Sequence, residues 1–155
     1  MIKVSILVVS SKIAEGREED KGKKLLSELV ESIPAVLLSY EVVPDDASLI
    51  RERLKSLTEA GVDVVLTVGG TGVRPTDIVP EITREVADKE IPGIGEAMRW
   101  ESLKKVQTAV LSRATAGIRG RTLIVNLPGS PRGARENLGV VLPVLEHTID
   151  KIQGR

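Results

Sequence analysis

The chain has no cysteine and no phenylalanine, and a single tryptophan, tyrosine and histidine among 155 residues. Without cysteine there is neither a disulfide nor a zinc–thiolate site. His147 is the one imidazole, near the C-terminus and far in sequence from any glycine-rich turn. That sets aside a Ser-His-Asp triad and predicts a place on a helix surface or interface. With so few rings there is no stacking platform for single-stranded nucleic acid. Charge of one sign is also missing: 22 acidic residues face 22 basic ones, so no broad basic surface is available to bind a nucleic acid backbone. Long apolar runs are absent too. IKVSILVVS follows Met1 directly and is too short for a membrane span or a signal peptide. The expectation is a cytoplasmic protein with neither nucleic acid nor membrane as partner.

What remains is a core of Val, Leu, Ile and Ala. At this length one domain, 1–155, is expected, large enough to bury about 70% of its unfolded surface. Apolar runs at 3–9, 36–43, 62–68 and 121–127 read as strands. Between them lie amphipathic segments. Leu25, Leu29 and Ile33 repeat every fourth position, a helical face. Asp46 can cap a helix bearing Leu49, Ile50, Leu54 and Leu57 that ends at Gly61. Further helices are predicted from Pro80, over 95–106, and after the PGSP turn, with Pro143 breaking the last in two. Strand–helix alternation with near-continuous apolar strands predicts an α/β fold of three layers: a mostly parallel central sheet with helices on both faces. Ligands bind such sheets at the carboxyl ends of the strands. The segments SSK, PDD, GGTG and PGSP each follow a strand, so one edge of the sheet is expected to gather them.

The most informative stretch is TVGGTGVRPTDIVPE, Thr67 to Glu81. Gly69, Gly70 and Gly72 permit positive backbone angles and close approach of a ligand. Successive amides in such a turn make an anion nest, and a helix N-terminus follows. A plain tight turn would use the same glycines. The dinucleotide G-x-G-x-x-G pattern is not met by GGTGVRP, and Met98 stands where GIGEAM would need its third glycine. GREEDKGKK has the wrong spacing for a Walker loop, with Lys24 in the Ser/Thr place. Asp77 beside a phosphate nest calls for an intervening cation, and magnesium bridges carboxylates to phosphate oxygens. Asp45 or Asp46 can supply a second carboxylate. Asp46 is the better helix cap, which leaves Asp45 free.

These pieces resemble the MoaB/MogA family of molybdenum-cofactor biosynthesis proteins, related to the G domains of a plant counterpart and of animal gephyrin. GGTGVRPTDIVPE is similar to the family's GGTG-x-x-x-x-D-x-T-P-E signature. Ser10-Ser11, Asp20-Lys21-Gly22, Val43-Pro44-Asp45-Asp46, GIGEAMRWESL and LSRATAGIRGRTLIVNLPGSP match other family segments in order. The resemblance covers nearly the whole chain and implies a molybdopterin-binding-domain-like fold. It implies a nucleotidyltransferase, a molybdopterin adenylyltransferase, that moves AMP from magnesium-bound ATP to the molybdopterin phosphate. A non-catalytic pterin carrier of the same molybdenum or tungsten cofactor pathway is the alternative. Carried over by position, Asp45 and Asp77 are the acidic pair, catalytic and magnesium-holding. Gly69, Gly70, Thr71, Gly72, Pro128, Gly129 and Ser130 are the expected nucleotide and phosphate ligands. Ser10, Ser11, Ser112, Arg113 and Asn126 are expected to meet pterin or substrate. A homotrimer or trimer-based hexamer is implied, as is a transient contact with the metal-insertion protein. Some positions depart from the pattern. Lys12 replaces an arginine, exchanging a bidentate fork for a point charge. Ile78-Val79 replaces V-T and loses a threonine cap, which bears on the rigidity of the loop. Trp100 lies in a helix the family uses near its site or subunit contacts; core packing is the favoured expectation over an interface. Glu96 can face either ligand or solvent.

Overall fold

The computed structural model describes residues 1–155. In chain order the strands are β1 (Ile2–Val9), β2 (Ala35–Val43), β3 (Val64–Val68), β4 (Lys89–Glu90), β5 (Ala116–Arg119) and β6 (Thr122–Leu127). The helices are α1 (Ser11–Ala14), α2 (Lys23–Glu31), α3 (Ala47–Glu59), α4 (Val79–Val86), α5 (Pro92–Leu103) and α6 (Pro131–Ile152). The strands form one sheet of order β2-β1-β3-β6-β5-β4. The first four strands in that order are parallel, and β5 and β4 are added antiparallel.

Strand alternation divides the core between two faces. Val4, Ile6, Val8, Leu66, Val125 and Leu127 point to one face and pack against α2, α5 and α6. Leu7, Val9, Val65 and Ile124 point to the other, against α3 and α4. Both faces of β3 and β6 are therefore dry, which is why their sequences run apolar without polar alternation. The edge strand β2 is bulged: its register shifts opposite Val4/Ser5, and Leu38 is left unpaired and exposed. This interruption blunts the sheet edge.

The expected three-layer α/β architecture is observed, and three local expectations need correction. The two short antiparallel strands β4 and β5 are additions to the expected sheet. Pro143 does not divide the last helix, which runs unbroken for 22 residues. Pro143 lies on its solvent face, as does Gly139, whose carbonyl loses its partner there, so water can take the bond. Leu138, Val141, Leu145 and Ile149 hold both halves to the sheet. Trp100 is not in the core: it is 70% exposed, beside the exposed Leu103, Val106, Val110 and Leu111. No helix is long and apolar enough to cross a membrane.

Candidate active site

Four loops leave the carboxyl ends of β1, β2, β3 and β6 at one edge of the sheet, and specific contacts bring them together. After β1, Ser10 caps α1 by accepting from the Ile13 amide at 3.2 Å. Ser11 and Asp45 clasp the β1 and β2 loops with two reciprocal bonds. The Ser11 amide donates to Asp45 Oδ2 at 3.1 Å, and the Asp45 amide donates to Ser11 Oγ at 2.9 Å. Asp46 caps α3 through the Leu49 amide at 3.0 Å. The adjacent acids thus divide their work as the sequence suggests, with Asp45 Oδ1 left without a hydrogen-bond partner.

The glycine loop needs its glycines for different reasons. Gly69 has φ +100°, and a Cβ there would stand 2.5 Å from the Val9 carbonyl oxygen. Gly129 of the PGSP turn closes on it, with an added Cβ only 3.3 Å from Gly69 Cα. Gly70 has φ +67° and would clash with Val79 of α4. These contacts seat the loop between β1, β6 and α4. The amides of Gly70, Thr71, Gly72 and Val73 donate to no protein acceptor, nor do those of Gly129 and Ser130. Ser130 caps α6 through the Gly133 amide at 3.1 Å. The result is a run of unpaired N–H groups beside the N-terminus of a long helix, an arrangement suited to an anion.

Asp77 sits at the far end of this loop. Its Oδ2 accepts from the Arg74 amide at 2.9 Å and lies against Gly72, and its Oδ1 is unpartnered. Asp45 and Asp77 share no bond, and they reach the edge from different loops. The chain contains no group of three or more His, Cys, Asp or Glu able to hold a metal. The donor set fits magnesium only where ligand oxygens and water complete its shell.

A family described as "Probable molybdopterin binding domain" matches residues 5–147. The chain belongs to this molybdopterin-binding family. It is 42% identical over 156 residues to the molybdopterin adenylyltransferase of Helicobacter pylori J99, covering 99% of this chain and 89% of that protein. It is 37% identical to gephyrin of Dictyostelium discoideum over 98% of this chain and 23% of gephyrin. The crystal structure of MoaB, a molybdopterin biosynthesis enzyme of Thermus thermophilus, superposes with a TM-score of 0.94 at 46% identity, covering 100% of this chain and 98% of that one.

Within this molybdopterin-binding fold the remaining expected site residues take varied places. Ser112 ends the 3₁₀ turn Gln107–Leu111, and its hydroxyl accepts from the Ala114 amide at 3.3 Å. Asn126 is 0% exposed. Its Oδ1 accepts from the Thr115 amide at 3.2 Å, and its Nδ2 donates to Thr67 and Thr83 at 3.1 and 2.9 Å. Every polar atom of that side chain is spent inside the protein. Arg113 is likewise committed to its own chain. Its Nε donates to the Gly72 carbonyl at 2.7 Å and its Nη2 to the Asp77 carbonyl at 2.7 Å. Its Nη1 donates to Glu81 Oε2 at 2.6 Å. This bond to Arg113, ahead of the opposing effect of burial, holds the Glu81 carboxyl below the usual carboxylate range. Sequence reasoning does not single out Glu81. The signal for it is an acid in the first turn of a helix that begins beside a predicted phosphate nest. The start of α4 has no side-chain cap; the Val79 amide donates to the Gly70 carbonyl at 3.1 Å, which ties the glycine loop to the first residue of the helix.

Proposed function

We propose that the protein is a molybdopterin adenylyltransferase. A molybdopterin phosphate oxygen attacks the α-phosphorus of ATP, the bond from that phosphorus to the bridging oxygen breaks, and pyrophosphate leaves. Such a transfer asks the protein for positioning and charge neutralisation rather than covalent participation, which suits a chain without cysteine. The carrying observation is the row of unpaired amides from Gly70 to Val73, at the same edge of the sheet as the half-free carboxylates of Asp45 and Asp77.

In this reading the amides of Gly70, Thr71, Gly72 and Val73 hold phosphate oxygens of the nucleotide. Gly129, Ser130 and the start of α6 hold a second phosphate. Pro128 fixes the approach of that turn. Asp45 and Asp77 present their free Oδ1 atoms to magnesium. When bound, the ion neutralises charge building on the departing pyrophosphate. Ser10, Ser11 and Ser112 retain hydroxyl hydrogens to donate to pterin or ribose. Asn126 acts from behind by joining β6, β3, α4 and the strand-entry residue Thr115. The strip of Trp100, Leu103, Val106, Val110 and Leu111 supports assembly into a homotrimer or a trimer-based hexamer. Adenylylated molybdopterin is then passed to metal insertion.

The deciding experiment incubates protein with molybdopterin, ATP and magnesium and follows adenylylated pterin and pyrophosphate by mass spectrometry. Equal yields of both products are expected, falling at least a hundredfold in Asp77→Ala and Asp45→Ala. Tight pterin binding with no product, unaffected by nucleotide, would replace the enzyme with a carrier.

A further inference from the structure

Arg113 lies between the 3₁₀ turn and β5, yet its bonds go to a loop about forty residues earlier in the chain. Its amide donates to the Thr71 carbonyl at 2.8 Å. Its guanidinium takes the Gly72 carbonyl, the Asp77 carbonyl and the Glu81 carboxylate at once. Gly72 and Asp77 are the two ends of the excursion that carries the carboxylate, and Glu81 is in the first turn of the helix that follows. The fork therefore spans the excursion and fastens it to α4. The fastening continues inward. Glu81 accepts from Arg84 at 3.4 Å, and Arg84 donates to Glu90 at 2.8 Å. Thr115 donates its hydroxyl to the same Glu90 oxygen at 2.7 Å. The Thr115 amide donates to Asn126, which reaches Thr67 of β3. The brace thus ends on the strand from which the glycine loop departs.

We propose that Arg113 is a positioning residue: it fixes the span from Gly72 to Asp77 and so sets where the Asp77 carboxylate stands relative to the glycine-loop amides. This rests on the reading of Asp77 as a ligand of the magnesium-bound nucleotide. Arg113 fixes the backbone at both ends, while the Arg74 amide fixes the carboxylate rotamer between them. The geometry is specific to a planar fork. Lysine offers one nitrogen, a point charge that cannot span three acceptors in different directions.

The test uses Arg113→Lys, Arg113→Gln and Glu81→Gln in the full chain, with two readouts. The first is hydrogen exchange, without ligand, of the bonded amides of Arg74, Asp77 and Val79, with α3 amides as the internal reference. Exchange is expected to quicken about tenfold or more in the loop and to stay unchanged in α3. The second is steady-state adenylylation. The expected result is a kcat lowered 10- to 100-fold, a raised half-saturation for magnesium–ATP and a pterin KM within twofold, with Lys no better than Gln. Glu81→Gln keeps the side-chain shape and carries the same expectations in weaker form, so the test survives if an Arg113 variant fails to fold. Unchanged loop exchange overturns the proposal. So does a raised pterin KM with exchange unaltered, which makes Arg113 a substrate ligand, or recovery of kcat by Lys, which makes it a simple charge. If the wild type transfers no adenylyl group, the enzyme reading fails by itself, and the exchange experiment still decides whether the brace exists.

Discussion

Gly72→Ala should damage catalysis while leaving the fold intact, and its neighbour Gly69→Ala should damage the fold first. Gly72 does not occupy the left-handed region, so alanine fits its backbone. The new Cβ, however, would stand 2.9 Å from Asp77 Oδ2, where ordinary contact begins at 3.4 Å. The carboxylate is the movable partner. Swinging it aside breaks its bond from the Arg74 amide, and a hydrogen bond to a charged group is worth about 1.5–3 kcal/mol. If that displacement is felt in the transition state, the rate falls roughly 10- to 100-fold. In the ligand-free protein the loop is at the surface and water takes over both groups of the broken bond, so less than the full value of that bond is lost from stability, about 0.5–1 kcal/mol. At Gly69 the balance is reversed. Its φ of +100° strains any side chain, and the obstructing atom is the Val9 carbonyl oxygen of a buried strand. Backbone strain of about 1–3 kcal/mol and overpacking of similar size add to about 3 kcal/mol. At roughly 2–4 °C per kcal/mol for a chain of this size, Tm drops by about 6–12 °C. Thermal unfolding by circular dichroism and an adenylylation assay across magnesium concentrations measure the two effects. Equal losses of Tm in the two variants would refute the reasoning, as would full activity in Gly72→Ala.

Three further outcomes follow from the same geometry. Asn126→Ala strands the buried Thr115 amide and two threonine hydroxyls; about 3 kcal/mol is lost and Tm falls by roughly 6–12 °C. A normal Tm with only a raised pterin KM would instead make Asn126 a ligand. Tyr40 is the sole tyrosine, and burial first, then its bond to Asp20, raises its phenol well above the ordinary tyrosine value of 10.0. A raised folded value means its stabilisation is complete below the unfolded value and declines as pH rises beyond it; phenolate absorbance should therefore appear only as helix signal is lost, and reversible ionisation at about pH 10 in the folded protein would contradict this. Trp100→Glu places a charge in the exposed apolar strip; if the proposed trimer or hexamer assembles through that strip, sedimentation should move toward monomer, whereas an unchanged assembly size would remove the strip from the interface.

Much of the fold is legible because burial on both faces writes itself into sequence. Past Lys3 and Arg121 at their starts, KVSILVV, VDVVLTV and RTLIVNL have no exposed residue, and each reads as a strand. AGIR and KE offer neither length nor apolar period, so β5 and β4 depend on partners that sequence does not display. The split between Asp45 and Asp46 is readable, since a cap is a local bond between Asp46 and an amide three residues on. The brace by Arg113 is not readable. Two of its three acceptors are backbone carbonyls, present at every residue, and only the folded chain selects those of Gly72 and Asp77. Asn126 shows the same limit from the opposite direction. A polar residue in an apolar strand looks poised for a ligand, but Thr67, Thr83 and Thr115 converge on it from three separate elements. Trp100 is misplaced from sequence because aromaticity predicts burial, whereas α5 turns this side chain away from the sheet and leaves it exposed.

The separation of the acids has a consequence for how a metal is used. Asp45 is held by Ser11 and Asp77 by Arg74, each through Oδ2, so each carboxylate offers one oxygen. No third acid or imidazole joins them. Magnesium demands near-octahedral oxygen coordination and gives up water reluctantly, so two single oxygens do not make a resident site. The remaining positions would come from water and, in the proposed site, from phosphate held by the amides next to Asp77. Metal and nucleotide should therefore bind as one species. Magnesium alone is expected to leave Tm unchanged, as is a non-hydrolysable ATP analogue with chelator. The two together, at about a hundred times their dissociation constant, should stabilise by about 2.7 kcal/mol, or roughly 5–11 °C. A comparable rise from magnesium alone would mean that the carboxylates form a metal site without the nucleotide, and the division of labour between amides and acids would have to be redrawn.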